Sequence, residues 1–330
     1  MVVVTAKSDV VIKALLLVCL ICLPTTSNAQ WWHEQHHIMG TLIDVEVWHE
    51  KESFARQAIE AVVEEMHRID RLLSPYKANS VVSRMNQYAS AKKLTLDPET
   101  FFILSQAEKI SVMTGGAFDI TFASIGFLYD FRKKVRPNEQ QTKQYLHAID
   151  FRRVKLNEKD QSVEFLHPKI KIDLGGIAKG YACDRAITIL KQYGIEHGVV
   201  SAGGDSRLLG DRHGRPWIIG IKNPRGEQPI ISIPIQDVAI STSGDYERFF
   251  KRDGVRYHHI IDPSNGDSAR ELRSVTIIAD QGVVSDGLST GVFVLGLKAG
   301  LELINRLDGV SAIVIDAQGQ LHYSSDLEGL

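Results

Sequence analysis

From Ser53 to Leu73 the apolar residues Phe54, Ala58, Val62, Met66, Ile69 and Leu73 return every three or four positions, the period of a long helix with one buried face. Ser74-Pro75 ends that pattern. A second helix is predicted from Pro98, a favourable first helical residue, to Met113, with Gly115-Gly116 closing it. Between Phe131 and Pro168 the chain turns polar and reads as a surface excursion, holding a short helix near Glu139–His147 and a hairpin with strands near Val154–Leu156 and Val163–Leu166. Ala178–Tyr193 is helical again and Gly194 caps it. Strand-like runs follow at Gly198–Ser201, Trp217–Ile221, Ile230–Ile235, Val238–Ser241, Tyr257–Ile261 and Val275–Ala279. Helices resume at about Asp286–Leu295 and Lys298–Leu307 before a last strand at Ala312–Asp316. Turns as short as Arg225-Gly226 and Asn265-Gly266 favour antiparallel pairing over repeated βαβ units. The expected fold class is α+β, with mixed or antiparallel sheets packed by helices, and not Rossmann.

Length and composition permit a sizeable core without an internal repeat, a low-complexity tract or an interdomain linker. The N-terminus changes the picture. Lys7 and Lys13 precede an apolar run from Ala14 to Leu23, then Pro24 and small polar residues to Ala29. That run is about half of the ~20 residues a spanning helix needs, so residues 1–29 read as a cleaved secretory signal with the mature chain, 30–330, starting at Gln30. The predicted location is exported, periplasmic and soluble, with inner-membrane association if the leader stays. Cys19 and Cys22 lie in the leader and follow no small residue, unlike a lipoprotein cysteine, and Cys183 alone is left in the mature chain, so no internal disulfide is expected. The formal charge is −2 for the whole chain. Losing Lys7, Asp9 and Lys13, a net +1, leaves −3, which argues against nucleic acid as a partner.

The densest chemistry lies in D-L-G-G-I-A-K-G-Y-A-C-D, from Asp173 to Asp184. Gly175 and Gly176 let backbone N–H groups come close to a ligand, and the helix starting near Ile177 points its positive end at an anion there. Lys179 adds a full charge in the first turn. Neither G-x-x-x-x-G-K-[ST] nor G-x-G-x-x-G is present, so the loop suggests a phosphate-bearing ligand by an uncommon route. Asp286 and Thr290 lie four apart on a helical pattern, placing a carboxylate and a hydroxyl on one face, suited to Mg²⁺. The plain alternative is that Asp286 or Ser285 only caps the helix. Gly287-Leu288-Ser289-Thr290-Gly291 also fits G-x-S-x-G, yet Gln281-Gly282 and Asp286 interrupt the strand that a nucleophile elbow requires.

His258 and His259 lead into Ile260-Ile261-Asp262-Pro263, where alternation sends one ring to a ligand and the other to solvent. No H-x-x-x-H or paired cysteines support zinc. His33, His36 and His37 read as an incidental, unstructured cluster. Met39-Gly40-Thr41, Ser74-Pro75-Tyr76, Gly115-Gly116-Ala117-Phe118-Asp119 and Ser201-Ala202-Gly203-Gly204-Asp205 each combine a turn with soft, flat or acidic side chains, and each alone reads as packing.

In order along the chain, M-G-T, S-P-Y, G-G-A-F-D, D-L-G-G-I-A-K-G-Y, S-A-G-G-D, S-G-D-Y, H-I-I-D-P and S-D-G-L-S-T resemble the ApbE family, the FAD:protein FMN transferases. The resemblance runs from about Ile38 to the C-terminus. It implies an ApbE-like fold and Mg²⁺-dependent transfer of FMN from FAD to a Thr or Ser hydroxyl of an acceptor protein, with AMP released. Position by position it implies FAD contacts at Met39, Tyr76, Ala117, Phe118, Asp119, Asp173, Lys179 and Ile260. Metal ligation is implied at Asp286 and Thr290, with a backbone oxygen near Gly176. His259 is implied to organise the phosphate site and is the candidate catalytic residue. The implied acceptor is a flavoprotein or a periplasm-facing subunit of a membrane redox complex. Gly287 replaces the alanine common in D-A-L-S-T, and Ser264-Asn265 replace the usual Arg-Thr, so no arginine role is carried over at that turn. An FAD pyrophosphatase giving FMN and AMP, or a non-catalytic flavin-binding protein, are the rival readings.

Overall fold

The computed structural model describes residues 30–328, so the predicted leader with Cys19 and Cys22 lies outside the described residues. In chain order the strands are β1 (Gln30–Ile38), β2 (Thr41–His49), β3 (Leu94–Thr95), β4 (Val154–Asn157), β5 (Ser162–Phe165), β6 (Gly198–Ala202), β7 (Asp205–Leu209), β8 (Trp217–Lys222), β9 (Pro229–Ile235), β10 (Ala239–Gly244), β11 (Phe249–Arg252), β12 (Val255–His258), β13 (Leu272–Ala279), β14 (Ser311–Asp316) and β15 (Leu321–Tyr323). The helices are α1 (Glu52–Leu73), α2 (Val81–Tyr88), α3 (Pro98–Met113), α4 (Ala123–Gly126), α5 (Glu139–Leu146), α6 (Ala178–Gln192), α7 (Gly282–Leu295) and α8 (Leu297–Ile304). Eight strands form one sheet in the order β1-β2-β6-β7-β10-β13-β14-β15. Every pair in it is antiparallel, so the fold is α+β as expected.

The sheet has two different faces because side chains alternate along each strand. Ile43, Val45 and Val47 of β2 and Val275 and Ile277 of β13 point into the main core with α1, α6 and α7. Leu208, Ile240 and Ile313 point the other way, where the β8–β9 hairpin covers them with Trp217, Ile221 and Ile233. A third cluster of Ile125, Tyr129 and Ile261 joins α4 to the chain after β12. The polar excursion forms α5 and the β4–β5 hairpin as expected, with β3 added to its edge.

Two expectations fail. His33, His36 and His37 lie in β1, which pairs along its whole length with β2; His33 Nε2 sits 2.8 Å from Asp44 Oδ2 and His36 Nε2 3.2 Å from Glu34 Oε2. The edge strand lacks a continuous apolar face, and β2 supplies the missing order. The strand expected over Tyr257–Ile261 ends at His258, and neither histidine faces fully into solvent: His259 is half-buried with its Nδ1 covered. His258 is buried with Nε2 2.6 Å from the Ala269 carbonyl oxygen.

Candidate active site

Helices α6 and α7 cross where each carries a glycine. A Cβ on Gly180 would lie 2.0 Å from the Gly282 carbonyl oxygen, and one on Gly282 would lie 2.4 Å from the Gly180 carbonyl oxygen. The close approach lets each helix cap the other. Asp286 Oδ2, from α7, accepts from the Gly180 N–H at 3.0 Å in the first turn of α6. Asp184, from α6, accepts from Gly282 N–H at 2.7 Å and Val283 N–H at 2.9 Å at the start of α7. Gln281 is the N-cap residue of α7 and its side chain makes no capping bond. Neither Asp286 nor Ser285 therefore caps its own helix, and Asp286 faces the first turn of α6, directly after a loop.

That loop is the glycine segment. Asp173 Oδ1 accepts from Gly175 N–H at 2.7 Å, which shapes the turn. A Cβ at Gly176 would meet Thr290 Oγ1 at 3.2 Å and Phe118 Cε2 at 3.4 Å, so loop backbone lies directly against the hydroxyl. Ile177 offers no capping side chain to α6, leaving the positive end of the helix directed at the loop. Thr290 Oγ1 lies 3.2 Å from Ser243 Oγ, and Ser243 also bonds Ser289 Oγ at 2.8 Å. Ser289 donates to the Asp286 carbonyl oxygen at 2.9 Å from well inside α7. It is a helix-interior hydroxyl tied to its neighbours, and the nucleophile-elbow alternative finds no strand-to-serine turn.

Charge concentrates below this point. Lys179 Nζ is hydrogen-bonded to Asp205 Oδ2 and lies 3.6 Å from Asp286 Oδ1. Burial opposes the ammonium charge, but Asp205 and Asp286 outweigh it and hold Lys179 above its ordinary range. Burial, then the charge of Asp205, push Asp286 above the usual carboxylate range. A divalent cation at Oδ1, the oxygen not bonded to Gly180, would hold this buried acid in its ionised form and balance its charge. Among the described residues no three His, Cys, Asp or Glu side chains form a metal cage. The donor set that fits is one carboxylate, a hydroxyl and backbone oxygen, the hard oxygen chemistry of Mg²⁺.

The remaining predicted residues fall into two groups. Met39 and Gly40 form the β1–β2 turn with φ of 55° and 71°, a two-residue reversal with both residues left-handed. Gly40 lies against the Arg248 guanidinium, with 3.5 Å from a built Cβ to Nη2. His259 N–H donates to the Arg248 carbonyl at 3.1 Å. Tyr76 is 76 % exposed, edge-on to Phe127 at 6.3 Å between ring centroids, and so offers an open aromatic face. Ala117 is half-buried and directly follows Gly116. Phe118, Asp119 and Ile260, by contrast, are buried. Both Asp119 oxygens are used, Oδ1 by the N–H and hydroxyl of Thr121 at 2.8 and 2.6 Å and Oδ2 by Phe151 N–H at 2.8 Å. Of the three, Phe118 packs against the loop, its Cε2 3.4 Å from a Cβ built on Gly176.

His259 Nδ1 is buried without a hydrogen-bond partner among the described residues. Burial, followed by the charges of His258, Arg248 and Lys179, lowers its pKa to about 3, so the ring is neutral. Asp205, Ser243 and Arg248 had no predicted role. Asp205 and Ser243 do lie within S-A-G-G-D and S-G-D-Y, and their contacts span 26 and 47 residues, beyond any local pattern.

A profile of the ApbE family matches residues 39–314. An FAD:protein FMN transferase of Vibrio cholerae is 35 % identical over 250 residues, 71 % of this chain and 74 % of that protein. One from Treponema pallidum is 29 % identical over 323 residues, 91 % of this chain and 89 % of its own. Among solved structures, the ApbE protein of Thermotoga maritima superposes with a TM-score of 0.84 at 35 % identity, covering 91 % of this chain and 98 % of that one. The flavin transferase ApbE of Vibrio cholerae gives 0.82 at 27 %, covering 91 % and 99 %.

Proposed function

This chain belongs to the ApbE family and is a transferase, and from that premise we propose that it moves the FMN half of FAD, with Mg²⁺, onto a Thr or Ser hydroxyl of an acceptor protein. The observation that carries the reading is the meeting of Thr290 with the glycine loop at Gly176 and of Asp286 with Gly180 and Lys179 in the helical turn that follows it. Phosphoryl transfer chiefly needs alignment and charge neutralisation, and these groups supply both.

Asp286 Oδ1, Thr290 Oγ1 and a backbone oxygen at Gly176 would hold Mg²⁺. Bound there, the ion would neutralise charge on the pyrophosphate oxygens. The glycine loop and the α6 N-terminus accommodate the diphosphate, and Tyr76 and Met39 offer flat and soft surfaces to the ring system. The acceptor hydroxyl oxygen forms a bond to the FMN-side phosphorus while the bond from that phosphorus to the bridging oxygen breaks. AMP leaves with the bridging oxygen and FMN stays on the protein as a phosphoester. Neutral His259, with Nδ1 unpartnered, can orient the phosphate; a pKa of about 3 makes it a poor base, so the hydroxyl proton goes to a carboxylate.

The location proposed is the periplasm. The support for this reading is the apolar run Ala14–Leu23 followed by small residues up to Ala29. N-terminal sequencing of the protein recovered from a periplasmic extract should read Gln30-Trp31-Trp32; a start at Met1 would sink the leader assignment. The acceptor proposed is an exported flavoprotein or the periplasm-facing part of a membrane redox complex.

The test is mass spectrometry of a candidate acceptor domain incubated with the mature protein, FAD and Mg²⁺, with AMP followed in parallel. A mass gain of one FMN less one water, absent with EDTA and with Asp286→Ala, is expected. AMP and free FMN without that gain would favour hydrolysis, and full transfer by Asp286→Ala would overturn the metal assignment.

A further inference from the structure

Asp205 is outside the ligand set above, yet its side chain is 3 % exposed and directly bonded to Lys179. It opens β7, where pairing with Ala202 on one side and Ser241 on the other fixes its backbone. The two residues before it must be glycines. A Cβ at Gly203, φ +66°, would lie 2.6 Å from Thr41 Oγ1, and one at Gly204 would lie 2.6 Å from the Thr242 carbonyl oxygen. The turn is pressed between two strands, and Asp205 emerges from it aimed at α6.

Lys179 thus stands between two buried carboxylates. Asp286 has one oxygen committed to the Gly180 N–H, and its other oxygen, Oδ1, lies 3.6 Å from the ammonium. That is the oxygen a metal ion needs. Among the described residues Lys179 is the cation paired with Asp286, so it is the competitor for the position. In a buried setting an ammonium that loses one carboxylate moves to the next, because an unpaired internal charge is strongly unfavourable.

We propose that Asp205 is a positioning residue that draws the Lys179 ammonium to itself, leaving only a 3.6 Å ion pair to Asp286 Oδ1, and so keeps that oxygen accessible to a divalent cation. The inference rests on the metal reading of Asp286 proposed above. Asp205, Lys179 and Asp286 together carry one net negative charge. Asp205→Asn makes the cluster neutral and releases Lys179 toward Asp286, and both changes oppose a cation. Removing a supporting partner of a metal ligand commonly lowers metal affinity about 10- to 100-fold.

The experiment titrates the full mature chain with Mn²⁺, read by electron paramagnetic resonance with and without AMP, after circular dichroism has established folding. Wild type is expected to bind and Asp286→Ala to lose binding. Asp205→Asn should bind about 10- to 100-fold more weakly. In the double variant Asp205→Asn with Lys179→Met the competitor is gone and the net charge is restored, so affinity should return to within a few-fold of wild type. A merely structural role for Asp205 would leave the double variant as weak as the single one, and that result overturns the proposal, as does wild-type affinity in Asp205→Asn. No binding by wild type, or unchanged binding by Asp286→Ala, removes the metal reading itself and the inference with it. If Asp205→Asn does not fold, Lys179→Met alone decides: it should bind Mn²⁺ more tightly than wild type, and equal or weaker binding overturns the proposal.

Discussion

The N–H of Gly180 in α6 donates to Asp286 Oδ2 in α7 at 3.0 Å, so the carboxylate that best fits a metal is oriented by a backbone group. The bond exists because α6 and α7 touch at their glycines. Gly180→Ala places a methyl group 2.0 Å from the Gly282 carbonyl oxygen and forces the helices apart. Overpacking of this kind costs about 1–3 kcal/mol or more. Urea unfolding should report that loss, and AMP production should fall further than the folded fraction does. A variant as stable and as active as wild type would contradict the described crossing.

Thr290 is expected to act through its hydroxyl. Thr290→Ser keeps Oγ beside Ser243 and should retain transfer within about tenfold, whereas Thr290→Val should lose about 100-fold or more, the scale seen when one ligand or its support is removed. Rates measured across a Mg²⁺ series check this. Equal rates for the two variants would exclude the hydroxyl from the metal site.

His259 has a folded pKa of about 3 against an ordinary 6.5, with burial the largest cause. A base depressed in the folded state is protonated first in the unfolded chain. Its contribution to stability is therefore complete above 6.5 and is lost progressively as pH falls from 6.5 toward 3. Nitrogen-detected NMR of the imidazole should show a neutral ring midway between those values. Acid destabilisation in that window should shrink in His259→Gln. A ring that titrates near 6.5 would show that it is not desolvated as described.

Asp184 caps α7 from α6 through Gly282 and Val283. Asp184→Ala should cost about 1–2 kcal/mol, the usual range for a lost cap, while Asp184→Asn keeps an acceptor oxygen and should cost less. Denaturant midpoints at unchanged slope would measure both. No difference between the two variants would remove the capping role.

The helices were legible because their apolar spacing is local. The expected Pro98–Met113 matches α3 end to end, and Ser53–Leu73 misses α1 by one residue. Strand β2 carries a readable alternation at Ile43, Val45 and Val47, yet no strand is predicted over it. Strand β1 had no such signal, since polar residues occupy both of its faces. The ordered segments at Met39, Tyr76, Asp173 and Asp286 pointed to the family, which composition and periodicity alone do not reach. What stayed hidden was the layer behind the candidate ligands. Asp205 touches Lys179 and Ser243 touches Thr290 only after β7 and β10 pair, and Asp184 caps a helix 98 residues away.

The pairing of β2 with β6 sets Ile43 opposite Ala202, closing a loop of about half the chain. Contacts so distant in sequence form late and slow folding. The candidate site draws on the β1–β2 turn, the glycine loop, the β6–β7 turn and α7, so it comes into being with the whole sheet and not on any fragment of it. A ligand held there engages only the fully assembled chain and shifts the global unfolding equilibrium by mass action. Ligand capture and escape from proteolysis then become one event.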